Sequence, residues 1–383
     1  MDGAQRLKRR RRPLRWLWVG AVAAPLTFAA PTFSRPPSHA IGLVITSWHY
    51  DFYQTPGGKE ECPDGFDHDD KQQLRATKDG DEQFKKYGAY EGRGPDGESS
   101  HYFPWLIKDV FPFPELRTEK SVGLNLDGTN DGRATDKTCA HDKFTSPEGE
   151  RVDNQMARVL SCTPAWRPDG FSREFIGQEF EHSPLNRLVV EIAGVDDDRN
   201  DPDVVVTIAK GRDKLLASSP GKFVPYLFQR IDERYPRFIN TTHGKIVDGV
   251  LTTDPIPVMD RSVLWVTHPG EQRLRDARLR LKLTDDGAEG YFAGYEDLKI
   301  WWSMYGKGVP GQLGPFSYAG QYGAAMRYAD GFKDPATGQC RAISTTYKVT
   351  AVRALIPNGS TQDRSRQVAQ SGGSRPSDAG VRR

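Results

Sequence analysis

Residues 277–295, ARLRLKLTDDGAEGYFAGY, decide the fold class. From Ala277 to Leu283 the side chains alternate between apolar and basic, which is the period-two pattern of a strand with one buried face. Asp285-Asp286-Gly287 supplies turn-forming residues, and 289–295 returns as a second β-rich run. The sequence therefore predicts a β-hairpin with an apolar face and a basic, solvated face.

Other runs of β-branched and aromatic residues lie on both sides of this hairpin, separated by Gly, Pro, Asp and Asn. They are 41–50, 188–192, 204–208, 223–228, 245–251, 262–267 and 342–356. Helical spacing of apolar residues instead predicts helices over 296–305 and 316–328. Short, evenly spaced strands are typical of a sandwich or barrel. We predict a mainly β fold: an antiparallel β-sandwich or jelly-roll-like module with a few short helices and long Asp/Gly-rich loops.

The first forty residues have the pattern of a cleavable export signal. Basic residues over 8–12 precede an apolar stretch over 16–30, and Ser38-His39-Ala40 resembles a cleavage site. The apolar stretch is shorter than the roughly 20 residues that span a bilayer as a helix. We predict cleavage before Ile41, a periplasmic or secreted protein, and no transmembrane span after cleavage. A permanent anchor is the alternative.

The remaining chain divides by composition into three parts. Residues 41–185 form a loop-rich region that contains disulfides, and 186–356 form the β-sandwich with its two short helices. Residues 357–383 are rich in Gly, Ser, Gln and Arg without apolar periodicity, so they lack the means to bury a core. We predict a disordered tail there.

The net charge of +2 hides an uneven distribution. Residues 1–40 hold eight basic and one acidic residue, and 357–383 hold five and two, which leaves a net charge of −8 for 41–356. Affinity for nucleic acid comes mainly from Lys and Arg on phosphates, so an acidic body argues against a nucleic-acid partner. The same charge is compatible with a bound divalent cation.

All four cysteines follow the predicted cleavage point and none lies in a Cys-x-x-Cys motif. An even number in an exported chain indicates two disulfides, with three possible pairings. We favour Cys139–Cys162, which would close a short Asp/Gly-rich loop, together with Cys62–Cys340. Free buried thiols are the alternative.

An acidic run, Asp196 to Asp203, lies between two apolar strands. Asp196, Asp198 and Asn200 match the first three ligand positions of a calcium loop, but Asp201 stands where an EF-hand has Gly. These three residues are candidate ligands of a calcium site of another type. A solvated acidic hairpin turn is the alternative.

A second acidic region surrounds the two middle cysteines. Its candidate calcium ligands are Asp127, Asp131, Asp136, Asp153 and Asn154. Calcium takes six to eight oxygen ligands from a curved chain, which a Gly-rich loop closed by a disulfide would supply. Alternatively, Asp153 or Asn154 caps the helix that follows it.

The catalytic signals are weak. Histidines in the mature chain form no His-x-His or His-x-x-x-His pair, and Gly-x-Ser-x-Gly is absent. The densest aromatic group includes Trp301, Trp302 and Tyr305, which are candidates for stacking on sugar rings. Helical spacing of these residues also suits core packing.

The middle of the chain resembles exported proteins of Gram-negative bacteria that have no assigned function. The resemblance rests on five motifs that cover about half of the chain loosely. They are Asp127-Gly, Cys139, Phe144-Thr-Ser-Pro-Glu-Gly-Glu, Val152-Asp-Asn-Gln with Cys162, and Val247-Asp-Gly-Val-Leu-Thr-Thr-Asp-Pro. It implies a Gram-negative envelope setting.

Three functions remain open on the sequence. The leading one is a non-enzymatic envelope protein, stabilised by calcium, that binds a polysaccharide, an envelope component or a partner protein. The second is a glycan hydrolase that uses carboxylates in 51–100 or near 127–153, since long loops on a β scaffold often carry active sites. The third is an accessory subunit of an exported redox complex.

Overall fold

The structure is a computed structural model. It describes residues 38–66, 102–107, 114–168, 183–219, 221–265, 268–308 and 318–357, together with single residues at 82, 97 and 170. Residues 1–37 of the predicted export signal, which was placed over 1–40, lie outside the described residues, and so do residues 358–383 of the predicted tail.

Strands dominate the described chain. They are β1 (His39–Tyr50), β2 (Phe144–Thr145), β3 (Arg151–Val152), β4 (Leu188–Val195), β5 (Asp201–Lys210), β6 (Ala217–Ser219), β7 (Lys222–Phe223), β8 (Leu227–Phe228), β9 (Ile239–Val247), β10 (Val250–Thr253), β11 (Ile256–Trp265), β12 (His268–Leu283), β13 (Gly287–Asp297), β14 (Gly331–Lys333) and β15 (Cys340–Leu355). The α-helices are α1 (Met156–Leu160), α2 (Leu298–Gly308) and α3 (Tyr318–Arg327). The chain is mainly β, as the sequence predicts.

Eight of the strands close into a barrel. The hydrogen-bonded order is β1-β4-β5-β9-β10-β12-β13-β15, and β15 pairs with β1 again to complete the circle. All eight of these pairings are antiparallel. The prediction of a two-layer sandwich or jelly roll is therefore corrected to a barrel, because the first and last strands pair with each other and leave no second sheet to face.

The hairpin predicted over 277–295 is formed by β12 and β13, with Leu281 opposite Gly290. Leu279 and Leu281 are buried, whereas Arg280 and Lys282 are exposed. The basic face is not wholly solvated, since the Arg278 guanidinium donates to the Asn125 carbonyl at 2.7 Å. The outer face of this hairpin therefore also receives another part of the chain.

The largest apolar core takes side chains from every barrel strand. Its buried members include Leu43, Val190, Val206, Ile246, Leu251, Leu281, Phe292 and Val349. Aromatic residues of α2 belong to the same cluster as Trp48 and Tyr347 of the barrel. Burial of each large apolar side chain contributes about 1.5–3 kcal/mol, so this cluster is the main source of stability in the barrel.

Residues 114–168, which we name the loop layer, cover the outer face of β13 and β15. Leu126 of the loop layer packs with Ala293, Tyr295 and Ala342 in a separate apolar cluster. The backbone N–H of Thr346 donates to the Asn154 side chain at 3.3 Å. Both faces of these two strands are therefore covered, one by the barrel interior and one by the loop layer.

Two predicted strands are divided in the structure. The stretch 245–251 contains the end of β9, a turn at Asp248-Gly249 and the start of β10. Asp248 has a φ of 50°, a left-handed conformation that Asp adopts more readily than most residues. The stretch 223–228 likewise contains only the end of β7 and the whole of β8.

The disulfides differ from the favoured pairing. Cys62 bonds Cys162, and Cys139 bonds Cys340. The backbone N–H of Cys139 donates to the carbonyl of Asp330, which places Cys139 beside the β14–β15 pair and hence near Cys340. Sheet contacts rather than closeness in sequence decide the partners, and no cysteine remains as a free thiol.

Within the described part of the chain, no helix is long and apolar enough to cross a membrane.

Candidate ligand-binding cleft and buried ion cluster

A cleft of about 980 Å³ lies beside α2 and α3. Six aromatic side chains line it: Tyr102, Phe103, Trp105, Trp302, Tyr322 and Phe332. Three short segments supply most of this lining: the turn 102–107, the first half of α2 and strand β14. Its size and aromatic lining are typical of a small-molecule or oligomer-binding site.

The aromatic side chains form one connected wall. Ring centroids lie 5.8 Å apart for Phe103 and Trp105, 5.9 Å for Trp105 and Tyr322, and 5.1 Å for Tyr322 and Trp302. Trp105 is 57% exposed, and Tyr102 and Phe103 are also exposed. Trp302, at the other end of the wall, is only 4% exposed. The solvent-exposed aromatic faces therefore belong to the turn, and the ring contacts join them to α2 and α3.

Charged side chains surround this wall. Arg275 pairs with Asp297 at 3.5 Å, and Arg341 pairs with Asp334 at 2.5 Å. Both acids also stabilise the local backbone: Asp297 accepts from the N–H of Ile300 in the first turn of α2, and Asp334 accepts from two N–H groups of its own turn. Backbone hydrogen bonds, first that of Ala336, lower the pKa of Asp334.

The predicted stacking residues divide between the core and the cleft. Trp301 and Tyr305 are each 1% exposed and stack on one another at 4.8 Å. Trp301 also donates to the Tyr50 hydroxyl at 3.1 Å inside the core. The prediction that Trp301 and Tyr305 contact a ligand is therefore wrong, because both rings are needed to pack α2 onto the barrel. Trp302 borders the cleft.

A second notable group, which we name the ion cluster, lies between the loop layer and β14–β15. It contains Asp127, His141, Lys143, Asp153 and Asp330. Lys143, Asp127 and Asp153 have fully buried side chains, and His141 is 5% exposed. Asp330 is also fully buried and directly precedes β14.

Lys143 and His141 bind the carboxylates at short range. The Lys143 ammonium lies 2.6 Å from Asp127 and 2.5 Å from Asp153. His141 Nε2 lies 2.8 Å from Asp153 and 3.8 Å from Asp330, while its Nδ1 lies 2.9 Å from the carbonyl of Cys139. Such pairing is what permits charges to remain inside a protein.

Proton affinities in the ion cluster follow from these contacts. Burial lowers the pKa of His141, but the hydrogen bond with Asp153 and the charge of Asp330 raise it to about 9. Burial raises the pKa of Asp153, but His141 and Lys143 outweigh burial and lower it below its usual range. Burial raises the pKa of Asp330 to about 7, against the opposing charge of His141.

One residue group within the described ranges has the spacing of metal ligands. Asp127, His141 and Asp153 each offer a ligand atom, and these atoms lie within 4.8 Å of one another. Calcium prefers six to eight oxygens, whereas this group contains an imidazole and surrounds the Lys143 ammonium. Lys143 already supplies positive charge to both carboxylates, so these residues do not fit calcium.

The other candidate ligands of the second acidic region lie elsewhere. Asp131 and Asp136 are exposed, and Asp131 accepts from the N–H of Arg133. Asn154 is buried, and its amide donates to Ser121 and to the carbonyls of Asp51 and Val122. Helix α1 has Gln155 as its N-cap, without a side-chain capping bond. Asn154 thus joins the loop layer to the rest of the protein.

The acidic run is the turn between β4 and β5. Asp198 pairs with His39 at 2.7 Å, and the Asn200 side chain accepts from the N–H of Asp248 at 3.0 Å. Asp201 accepts from the N–H of Asp196 at 2.7 Å. Cleavage before Ile41 would remove His39, whereas the bonds of Asn200 and Asp201 lie within the predicted mature chain. Calcium binding by Asp196, Asp198 and Asn200 stays a prediction.

No role for Lys143, Asp330 or His141 was predicted from the sequence. The signal for Lys143 was its spacing: His141 and Lys143 are two residues apart, so an extended chain points both side chains to one face. Asp330 carried no local signal, since its partners are distant in sequence.

A further buried carboxylate lies inside the barrel. Glu296 accepts from Tyr347 at 2.6 Å, Gln272 at 2.7 Å and Tyr50 at 3.3 Å. Burial raises its pKa to about 6, against the stabilising hydrogen bond from Tyr347. Its exposure is 0%, so it serves the core rather than a ligand site.

Comparisons with protein-family models, curated proteins and solved structures find no match to this chain.

Proposed function

We propose that this protein is an exported envelope protein that binds a polysaccharide in the aromatic cleft. The observation that carries the proposal is the connected wall of Phe103, Trp105, Tyr322 and Trp302 in a cavity of about 980 Å³. The two disulfides are compatible with an oxidising compartment and hence with export.

The shape of the wall suits a chain of sugar rings. Sugar rings present apolar C–H faces, which stack on aromatic faces, and hydroxyl groups, which need polar partners at the rim. The cleft offers both, because Arg275, Lys299 and Gln339 line it beside the aromatic side chains. Trp105 is the main anchor, since a large, exposed ring is the type of residue that carries most of the energy in binding sites.

A glycan hydrolase has less support. Asp127 and Asp153 have no exposed side-chain surface, so a substrate does not reach them. Of the carboxylates in the cleft, Asp334 has a lowered pKa, whereas the general acid of a glycosidase needs a raised one. The loop carboxylates over 67–100 lie almost entirely outside the described residues. The role of redox-complex subunit stays a prediction.

Affinity gel electrophoresis with a panel of soluble neutral and acidic polysaccharides tests the proposed function. At least one polymer should retard the protein, and Trp105→Ala should weaken that affinity at least tenfold, or about 1.4 kcal/mol. Phe228→Ala is the matched control, because Phe228 is also an exposed aromatic residue, at 66%, but does not line the cleft. Two outcomes would contradict the proposal. Either no polymer retards the protein, or Trp105→Ala and Phe228→Ala reduce the retardation equally.

Calcium stabilisation is tested separately by metal analysis of the purified protein and by melting with and without chelator. Bound calcium, together with a melting temperature that falls on chelation, would support an ion at the Asp196–Asp203 turn. An unchanged melting temperature would leave the ion cluster, with its own lysine and histidine, as the electrostatic support of the fold.

A further inference from the structure

We propose that the ligand of the cleft is an acidic polysaccharide, whose anionic groups pair with Arg275, Lys299 and Arg341 while its rings stack on Trp105. This inference rests on the proposed function and names the class of polymer. It is carried by the charges of the cleft rather than by its aromatic residues.

The first step concerns the balance of charge in the lining. Four bases, Arg275, Lys299, Lys333 and Arg341, line the cleft, against two acids, Asp297 and Asp334. An excess of two positive charges therefore lies around a site whose floor is apolar. Low-dielectric walls strengthen the field of such charges and concentrate anions in the cleft.

The second step is that both acids have other bonds. Asp297 accepts a hydrogen bond at the start of α2, and Asp334 accepts two in its own turn. Each also pairs with one guanidinium, Arg275 or Arg341. An arginine has five N–H donors in a planar fork, so one carboxylate leaves donors for a second anion.

The third step concerns Lys299. It is exposed in the first turn of α2 and, among the described residues, has neither an ion pair nor a hydrogen bond with its ammonium group. Lys333 differs, because its ammonium donates to the carbonyl of Thr135 at 2.7 Å. Lys299 is thus the cation of the lining that is most available to a ligand.

The fourth step is the contrast with the rest of the protein. Residues 41–356 carry a net charge of −8, so most of the surface repels a polyanion. A local excess of cations in an acidic body directs an anionic ligand to one place. A neutral glycan would gain nothing from this arrangement, and a cationic one would be repelled by it.

The test uses a pair of polymers that differ in charge alone, polygalacturonate and its methyl ester, together with alginate, hyaluronate and dextran. We expect at least one acidic polymer to bind tenfold or more tightly than its neutral counterpart, with an affinity that falls as salt rises. Lys299→Gln and Arg341→Gln should each weaken the acidic polymer three- to tenfold and leave neutral polymers unchanged. Lys282 is an exposed lysine on the outer face of the barrel. Lys282→Gln is therefore the control and should change neither the affinity for acidic polymers nor that for neutral polymers.

The outcomes separate the two proposals. The protein could bind charged and neutral polymers equally well and lose affinity for both in Trp105→Ala. That result would overturn the acidic specificity and leave the proposed function intact. Equally tight binding of a DNA duplex would overturn it too, because the cleft would then be a general polyanion patch. Failure to bind any polysaccharide would overturn both.

Discussion

The barrel and the loop layer are ordered by different means. The barrel has eight strands in one closed ladder around an apolar core. The loop layer has two strands of two residues and one helix of five, yet Asp127, Lys143 and Asp153 are as fully buried there as Leu281 is in the barrel. Apolar side chains of the loop layer, such as Met156 and Leu160, join the main core. Buried charges and disulfides hold the parts of the loop layer that lack a ladder of backbone hydrogen bonds.

This difference has a physical consequence. Apolar burial does not depend on pH, whereas a buried ion pair requires both partners and the correct protonation. The two regions should therefore respond in different ways to substitution and to acid. Strand β14 connects the ion cluster to the cleft. Asp330, which directly precedes β14, lies in the ion cluster, and Phe332 of β14 lines the cleft. Gly331 between them allows close contact, since a Cβ there would lie 2.2 Å from the ring of Tyr295.

The largest effect is expected from Lys143→Met. Removal of the ammonium leaves Asp127 and Asp153 buried without their main counter-charge, which costs about 3–5 kcal/mol in the free energy of unfolding. Denaturant unfolding at pH 7 measures this loss. Carboxylates that stay buried without the ammonium bind protons more readily, so the loss should be smaller at pH 4 than at pH 7. An equal loss at both pH values would contradict the electrostatic role of Lys143.

Lys120→Met is the matched control for that substitution. Lys120 is exposed and pairs with Glu60 at 3.0 Å. Solvent screens such a surface pair, so its loss should lower the free energy of unfolding much less than the loss of Lys143 does. Similar losses for Lys120→Met and Lys143→Met would contradict the distinction between buried and exposed charge.

A second, smaller loss is expected from Leu281→Ala in the barrel. Leu281 is 0% exposed, and truncation of such a side chain costs about 3 kcal/mol through lost burial and the cavity left behind. Because no charge is involved, the loss should be the same at pH 4 and pH 7. A strong pH dependence for Leu281→Ala would remove the contrast with Lys143→Met.

The sequence predicted the barrel strands better than their closure. Alternation of apolar and polar residues is local, so 188–192, 204–208 and the 277–295 hairpin carried their own evidence. Closure depends on pairing between β1 and β15, for example Leu43 with Arg353, and no local pattern encodes so distant a contact.

The candidate site was predicted in part. Asp127 and Asp153 were named from the sequence, and the structure brings them together, but around Lys143 and His141. Acidic residues in a Gly-rich loop can surround either a metal ion or a buried basic side chain. The local sequence does not distinguish the two, because the group between the carboxylates is placed there by the fold. The contact between the aromatic turn 102–107 and Tyr322 is a tertiary feature that no local pattern predicts.

Removal of the Cys139–Cys340 disulfide should weaken the loop layer more than the barrel. Cys139→Ser with Cys340→Ser should cost about 2–3 kcal/mol, because the bond restricts the unfolded chain. Hydrogen exchange should accelerate in 125–143, while the amides of β4 and β5 keep their protection relative to global unfolding. Equal acceleration in both regions would show that they open as one unit.

The effect of His141→Gln is small at alkaline pH, and its size depends on pH. Folding raises the pKa of His141 from 6.5 to about 9, so the folded protein binds this proton more tightly than the unfolded chain. The resulting stabilisation is fully present below pH 6.5 and is lost as pH rises through 9. We expect His141→Gln to cost about 3 kcal/mol at pH 6, from a pKa raised from 6.5 to about 9, and little at pH 9.5. The melting temperature of the variant should therefore change less with pH between those values than that of the wild type. If the melting temperatures of the wild type and the variant instead changed with pH in parallel, His141 would bind Asp153 as a neutral hydrogen-bonding group and not as a cation. Lys143 would then supply the positive charge of the ion cluster.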